Sequence, residues 1–246
     1  MTANELGILY GIGVGPGDPD LMTLKALRVL RSVQRIFAAG SSKNDYSIAM
    51  GIAQHHLGDV RMDFLPFPMT KDKALLNEAW NQNARLVMET LKSGEDAGFV
   101  TIGDPSTYST YGYLLKALKD LCPEVRAVTI PGVPSYCAAA AAANIPLCEA
   151  EESCHLISGA YGSDKLRRVV GTSENVVMLK TYKHFDEIYD TLDELDLLGK
   201  ATCVSMCGYE DERVCLGLDD LKGRKMPYLS LIIIKNRRNR HGREGE

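Results

Sequence analysis

Short apolar runs typical of buried β-strands alternate with amphipathic helical stretches along the chain. In the first part these runs are GILYGIGV, VQRIFAA, DAGFVTI and VRAVTIPG, and in the second part CHLISGA, NVVMLK and ATCVSMC. Between them, Thr23 can cap a helix that carries Leu24, Leu27 and Leu30, and the stretch 113–121 has leucines at helical spacing. This alternation predicts an α/β protein in which helices cover a mostly parallel sheet.

An alanine-rich stretch, CAAAAAANIPL, follows the last run of the first part. Alanine is the best helix former, and its small side chain lets a helix lie close against another surface. We therefore expect two α/β domains, 1–147 and 148–246, to meet at this stretch. Near the end of the chain, RVCLGL and YLSLIIIK are separated by the turn-like DDLKGRKMP, which predicts a strand pair and some antiparallel character in the second domain.

Composition narrows the classes of function. The 246 residues are 45% hydrophobic with a formal net charge of −4, so a basic nucleic-acid footprint is not expected. The basic cluster KNRRNRHGRE at the C-terminus is interpreted as a solvated end. No apolar run reaches the roughly 20 residues of a membrane span, no signal-peptide pattern is present, and the scattered cysteines lack CxxC pairs. These absences predict a cytoplasmic protein. No bound metal is expected, because the histidines lack metal-ligand spacing.

The stretch GIGVGPGDPD, residues 11–20, is rich in glycine but fits no phosphate or dinucleotide template. A P-loop needs lysine after its last glycine, where Asp18 stands, and the dinucleotide fingerprint needs glycine or alanine in place of Pro16. Two interpretations stay open. The stretch is either a tight turn in which Asp18 or Asp20 accepts backbone N–H groups, or a loop that contacts a ligand.

Two further strand ends carry polar side chains. TIGDPSTYST, residues 101–110, runs from a strand into glycine, an acid and several hydroxyls, and ligands bind at such carboxyl edges of parallel sheets. The alternative is that Asp104 and the hydroxyls only cap the next helix. In IPGVPSY, Ser135 is either a cap or a ligand contact. No GxSxG elbow or marked cysteine nucleophile supports covalent catalysis.

Taken in order, GIGVGPGDPDLMTLKALRVL, TIGDPSTYST, the IPGVPSY stretch with its alanines, MLKTYK and YLSLIIIK resemble the tetrapyrrole methylase family over nearly the whole chain. These are the S-adenosylmethionine-dependent enzymes of corrin and sirohaem synthesis. GDPSTYSTYGYL and PYLSLIIIK are most similar to the members that methylate C20 of an early corrin, and cobalt-factor II is preferred over precorrin-2 as substrate. The resemblance implies two α/β domains with the cofactor in a cleft between them, and a homodimer.

The resemblance also implies site residues. The amino-acid end of S-adenosylmethionine would meet the turn at Gly103 and Asp104 and the loop that continues from it, namely Thr107, Tyr108 and Ser109. The adenine and ribose would be surrounded by Ser135, Tyr136, Lys180, Tyr182, Met206 and Gly208. Pro16 borders the cofactor cleft, although its loop is expected to face the macrocycle more than it holds the cofactor.

The chemistry requires few reactive groups. The sulfonium methyl is already activated, so the main task is to align the meso carbon with it. Asp18, Asp104 and Tyr108 are candidates to remove the C20 proton, although solvent or the substrate's own carboxylates could serve. Those carboxylates would be held by cations, for which the candidates are Lys43, Arg85, Lys180 and Lys183.

Other functions remain open. Methylation at C11 or C17, or of uroporphyrinogen III, would use the same family features. So would the family's branch that acts in diphthamide synthesis or on ribosomal RNA. A tetrapyrrole-binding module without turnover is the non-enzymatic alternative.

Overall fold

The computed structural model describes residues 6–40, 47–58, 60 and 62–236. The chain divides into two compact units, Met1–Pro134 and Ser135–Glu246. Within the described residues, each unit is built on a five-stranded sheet with helices. The predicted α/β class is therefore confirmed.

The first unit alternates strands and helices from its first strand to its last. Its elements are β1 (Leu9–Gly13), α1 (Leu24–Leu30), β2 (Arg35–Gly40), α2 (Ile48–Leu57), β3 (Met62–Pro66), α3 (Lys73–Lys92), β4 (Ala97–Thr101), α4 (Tyr111–Leu121) and β5 (Ala127–Ile130). The strands are parallel, in the order β3-β2-β4-β1-β5. All carboxyl ends therefore lie at one edge, and this edge carries the loops after β1, β4 and β5.

Successive side chains along the strands point to opposite faces of this sheet, and each face has its own hydrophobic core. Phe99 of β4 packs with α3 and α4, whereas its neighbour Val100 packs with α1 and α2. β4 is buried along its whole length, as expected of a central strand in a parallel sheet. The predicted cap of α1 is present, because Thr23 Oγ1 accepts the Ala26 N–H at 3.1 Å.

The second unit has a mixed sheet. Its elements are α5 (Ser135–Ala142), β6 (Cys154–Ser158), α6 (Asp164–Val169), β7 (Asn175–Leu179), α7 (Phe185–Glu194), β8 (Ala201–Ser205), β9 (Arg213–Leu216) and β10 (Ser230–Lys235). The strand order is β6-β7-β10-β8-β9. Among the described strands of this sheet, only β6 and β7 pair in parallel, while β10 runs antiparallel to β7 and β8. The start of β10 therefore lies at the same edge as the ends of β7 and β8.

Two details differ from the sequence-based expectation. β9 and β10 do not pair with each other, because both pair with β8 on its opposite sides. The strand β3 was not predicted from the sequence. The two compact units divide between Pro134 and Ser135, and α5 packs on β10 within the second unit, while the domain bounds 1–147 and 148–246 stay a prediction.

Among the described residues, none of the helices has both the length and the apolar character that a membrane crossing requires. The basic tail lies almost wholly outside the described residues.

Candidate functional site

Three loops of the first unit meet at the carboxyl edge of its sheet, and glycines allow this close approach. A Cβ on Gly13 would lie 2.6 Å from the Gly103 carbonyl oxygen and 2.7 Å from the Gly132 nitrogen. Gly15, at φ +87°, forms an antiparallel bridge with Gly103, whose N–H donates to the Gly15 oxygen at 2.7 Å. At these glycines the loops approach one another backbone to backbone.

The first glycine of GIGVGPGDPD has a different partner. The ring of Tyr111, at the start of α4, lies directly against Gly11. A Cβ added to Gly11 would lie 2.6 Å from the Cε1 atom of Tyr111 and closer still to its Cζ and Cε2 atoms. The Thr129 hydroxyl donates to the Tyr111 hydroxyl at 3.3 Å, and burial raises the pKa of Tyr111. This glycine therefore makes room for a buried aromatic ring.

The loop after β4 is held by its own polar side chains. Asp104 Oδ1 accepts the Ser106 N–H at 2.8 Å, and Oδ2 accepts the Gly132 N–H at 3.1 Å. Ser109 Oγ accepts the Tyr111 N–H at 3.1 Å and lies 2.9 Å from Thr101 Oγ1. Asp104 and Ser109 therefore stabilise the turn and the helix start, which is the alternative that the sequence left open.

The remaining predicted residues of this edge differ in exposure. Tyr108 has a positive φ of 49° and is 45% exposed, and Thr107 beside it is half-buried. Pro16 is buried. Asp18 is half-buried and its Oδ1 accepts the Asp20 N–H at 2.8 Å, which is the tight turn expected for this stretch. Asp18 Oδ2 makes no hydrogen bond to a described residue.

In the second unit, two predicted segments meet at the start of β10. The Met206 N–H donates to the Leu229 carbonyl at 2.8 Å, and the Thr181 hydroxyl donates to the Ser230 carbonyl at 3.2 Å. Lys180 and Met206 both have positive φ, 59° and 52°, an unusual conformation for residues other than glycine that is concentrated at functional sites. The ends of β7 and β8 therefore lie at one edge of the sheet, and backbone conformation determines the shape of this edge.

An aromatic pair lies at this edge. The rings of Tyr182 and Tyr228 are 5.0 Å apart at 63°, and Tyr228 is 57% exposed. Burial raises the pKa of Tyr228, and the neighbouring Tyr182 raises it further by a smaller amount. Lys183 Nζ lies 5.9 Å from the centre of the Tyr182 ring. Tyr228 was missed as a site residue, although it stands in PYLSLIIIK, one of the segments that carry the resemblance.

The other predicted positions are placed as follows. Ser135 and Tyr136 begin α5 and are half-buried, and the Gly208 N–H donates to Glu212 Oε2 at 2.8 Å. Burial lowers the pKa of Lys180.

Of the predicted cations, Lys180 and Lys183 follow β7 in the second unit. Arg85 is exposed on α3, about 18 Å along that helix from its start at 1.5 Å per residue. It therefore lies apart from the strand-end loops of its unit. Lys43 lies outside the described residues. Within the described ranges, no group of three or more His, Cys, Asp or Glu side chains is arranged to hold a metal ion.

Known proteins resemble this chain over most of its length. The family model described as Tetrapyrrole (Corrin/Porphyrin) Methylases matches residues 8–220. A protein of Methanocaldococcus jannaschii named probable cobalt-precorrin-2 C(20)-methyltransferase is 38% identical over 92% of this chain and 95% of its own length. The cobalt-precorrin-2 C(20)-methyltransferase of Salmonella typhimurium is 31% identical over 93% of this chain and 96% of its own.

Solved structures share the fold. The uroporphyrin-III C-methyltransferase of Thermus thermophilus, in complex with S-adenosylhomocysteine, superposes with a TM-score of 0.66 at 21% identity, covering 94% of this chain and 98% of that one. At this identity the likeness concerns the fold alone.

Proposed function

Since the chain belongs to the tetrapyrrole (corrin/porphyrin) methylase family, we propose that it transfers a methyl group from S-adenosylmethionine to C20 of a cobalt-containing corrin precursor. The observation that carries the proposal is the full-length similarity, at 38% and 31% identity, to two proteins named for this reaction on cobalt-precorrin-2. Cobalt-factor II is the substrate form that we prefer. Cobalt belongs here to the substrate, and the protein itself supplies binding and orientation.

Each strand-end edge, taken by itself, offers side chains that suit one part of S-adenosylmethionine. Ser106, Thr107 and Tyr108 provide hydroxyls beside a backbone turn, which fits the amino and carboxylate groups of an amino acid. The pair of Tyr182 and Tyr228 offers a half-exposed aromatic surface, which fits a flat purine. When bound, S-adenosylmethionine supplies the activated methyl group.

The residues of the chain then have three tasks. The backbone turns fix the orientation of the reactants, and such alignment can lower the barrier by about 7–11 kcal/mol. Lys180 and Lys183 are proposed to attract the carboxylates of the macrocycle. Asp18 is proposed as the acceptor for the C20 proton, because its Oδ2 atom makes no hydrogen bond to a described residue, and Tyr108 is the second candidate.

The resemblance also supports a homodimer that acts in the cytoplasm, as a further part of the proposal. Light scattering after gel filtration tests the dimer directly: a mass near twice 27.0 kDa is expected, and a monomer at micromolar concentration would contradict it.

The test is a transfer assay with S-[methyl-¹³C]adenosylmethionine and four macrocycles: cobalt-factor II, cobalt-precorrin-2, metal-free precorrin-2 and uroporphyrinogen III. We expect one added methyl by mass spectrometry, located at C20 by NMR, and faster turnover with cobalt present. A methyl at C11 or C17, or transfer only to uroporphyrinogen III, would assign the chain to another branch of the family. Tight binding of the macrocycle without transfer would indicate a non-catalytic module.

A further inference from the structure

The carboxylate of Asp104 connects two loops that are far apart in sequence. These are the β4–α4 loop, residues 102–110, and the β5–α5 loop, residues 131–134. Oδ1 accepts the Ser106 N–H inside the first loop, and Oδ2 accepts the Gly132 N–H of the second. One half-buried side chain therefore serves both a local turn and a link between loops.

The surroundings show why this link matters. A Cβ on Gly132 would lie 2.8 Å from the Gly13 carbonyl carbon and even closer to the Gly103 oxygen, so there is no space for a side chain between the backbones. The β4–α4 loop is also joined to the β1 loop by the bridge between Gly15 and Gly103. Hydrogen bonds from two backbone N–H groups thus hold Asp104 at the point where three loops converge.

A general base must lie within hydrogen-bond reach of the proton that it removes, with an oxygen lone pair directed at that proton. Both oxygens of Asp104 already accept backbone donors, and protonation would weaken both bonds. The same two bonds set the spacing between the β4–α4 and β5–α5 loops. The carboxylate is therefore better suited to holding a geometry than to exchanging a proton.

We propose that Asp104 is a positioning residue, which fixes the β5–α5 loop against the β4–α4 loop so that the edge can hold the amino-acid end of S-adenosylmethionine, and that it is not the base. This rests on the proposed function.

The variant Asp104→Asn separates the two roles. Its amide oxygen can still accept the Ser106 N–H, whereas its NH₂ group would face the Gly132 N–H and cannot accept from it. The local turn should persist and the link between loops should be lost. We expect the Kd for S-adenosylhomocysteine, measured by calorimetry, and the KM for S-adenosylmethionine to rise about tenfold. With saturating cofactor, kcat should change less than about threefold and keep its pH profile.

The opposite pattern would overturn the inference. Loss of a general base typically lowers the rate about 10²–10⁴-fold, so a drop of that size in kcat with an altered acidic limb and unchanged Kd would make Asp104 the base. Direct contact with the cofactor is tested with the desamino analogue of S-adenosylhomocysteine. Equal weakening of both ligands is expected, whereas weakening of S-adenosylhomocysteine alone would indicate that Asp104 binds the amine.

Asp72→Asn is the matched control. Asp72 Oδ1 alone accepts the Ala74 and Leu75 N–H groups at the start of α3, so an amide oxygen can replace it, and all kinetic values should stay at the wild-type level. A second measurement uses the wild-type chain, in case Asp104→Asn does not fold. The signal to measure is the NMR scalar coupling between the Gly132 amide nitrogen and the Asp104 carboxyl carbon, which is transmitted through their hydrogen bond, and a Gly132 amide without this signal would refute the link.

These readouts also separate the inference from the proposed function. The Gly132 signal needs neither cofactor nor macrocycle. A wild-type chain that binds no S-adenosylhomocysteine would contradict the proposed function, while an absent Gly132 signal would contradict the link itself.

Discussion

Replacing Gly132 by alanine should destabilise the first unit strongly. The new Cβ would lie 2.8 Å from the Gly13 carbonyl carbon and closer still to the Gly103 oxygen. Both neighbours are backbone atoms, so no side chain can rotate away. The overlap can be relieved only by moving one loop away from the others.

Such a movement has a calculable effect. It would stretch the Gly132 bond to Asp104, 3.1 Å in the folded chain, and strain the bridge between Gly15 and Gly103. Overpacking costs about 1–3 kcal/mol and a hydrogen bond to a charged group contributes about 1.5–3 kcal/mol, so we expect a loss of about 3–5 kcal/mol.

Urea unfolding followed by tryptophan fluorescence measures this loss, because Trp80 on α3 is the single tryptophan of the chain and lies in the first unit. Gly112→Ala is the control. Gly112 lies in α4 with nothing within 4 Å of its added Cβ, so alanine should stabilise by about 0.5 kcal/mol through the lower entropy of the unfolded chain. A loss below about 1 kcal/mol for Gly132→Ala would be no larger than that of an average substitution and would refute the reasoning.

Three other predictions concern packing and protonation. Gly11→Ala should destabilise the wild-type protein but have a much smaller effect in a Tyr111→Ala background, because the added Cβ would meet the Tyr111 ring. A double-mutant cycle should therefore give a coupling energy of at least about 1 kcal/mol, and additive effects would contradict the contact. Burial lowers the pKa of Lys180 from its ordinary 10.5, so between the folded and unfolded pKa values the unfolded chain binds more protons and stability rises with pH. Lys180→Met lacks this rise, and its stability relative to wild type should therefore fall in urea titrations as the pH rises toward 10.5. Hydrogen bonds from the Ser163 N–H and hydroxyl lower the pKa of Glu187 below its ordinary 4.5, so its contribution is present above pH 4.5 and lost as the pH falls through the folded pKa. The variant Glu187→Gln should be less stable than wild type by less than about 1 kcal/mol at pH 7, because the side chain is half exposed. A stability difference that persists in acid would contradict the ionised carboxylate as its origin.

Much of this protein follows from its sequence. The apolar runs predicted most of the strands, because a buried strand requires apolar residues next to one another in the sequence. The spacing of Gly11 and Gly13 by two residues places them on one face of β1, where close approach is needed. The motifs also identified the family and the segments that form the two candidate edges.

The tertiary structure alone decided what each of these residues meets. Gly11 faces the ring of Tyr111, Asp104 reaches Gly132, and Tyr228 joins Tyr182. In the same way, β9 and β10 lie on opposite sides of β8 although they follow one another along the chain. Such pairings depend on the order and direction of strands in a sheet, and that order is set by the packing of the whole unit. A periodic pattern records only whether a position is buried, so it cannot specify which distant residue buries it.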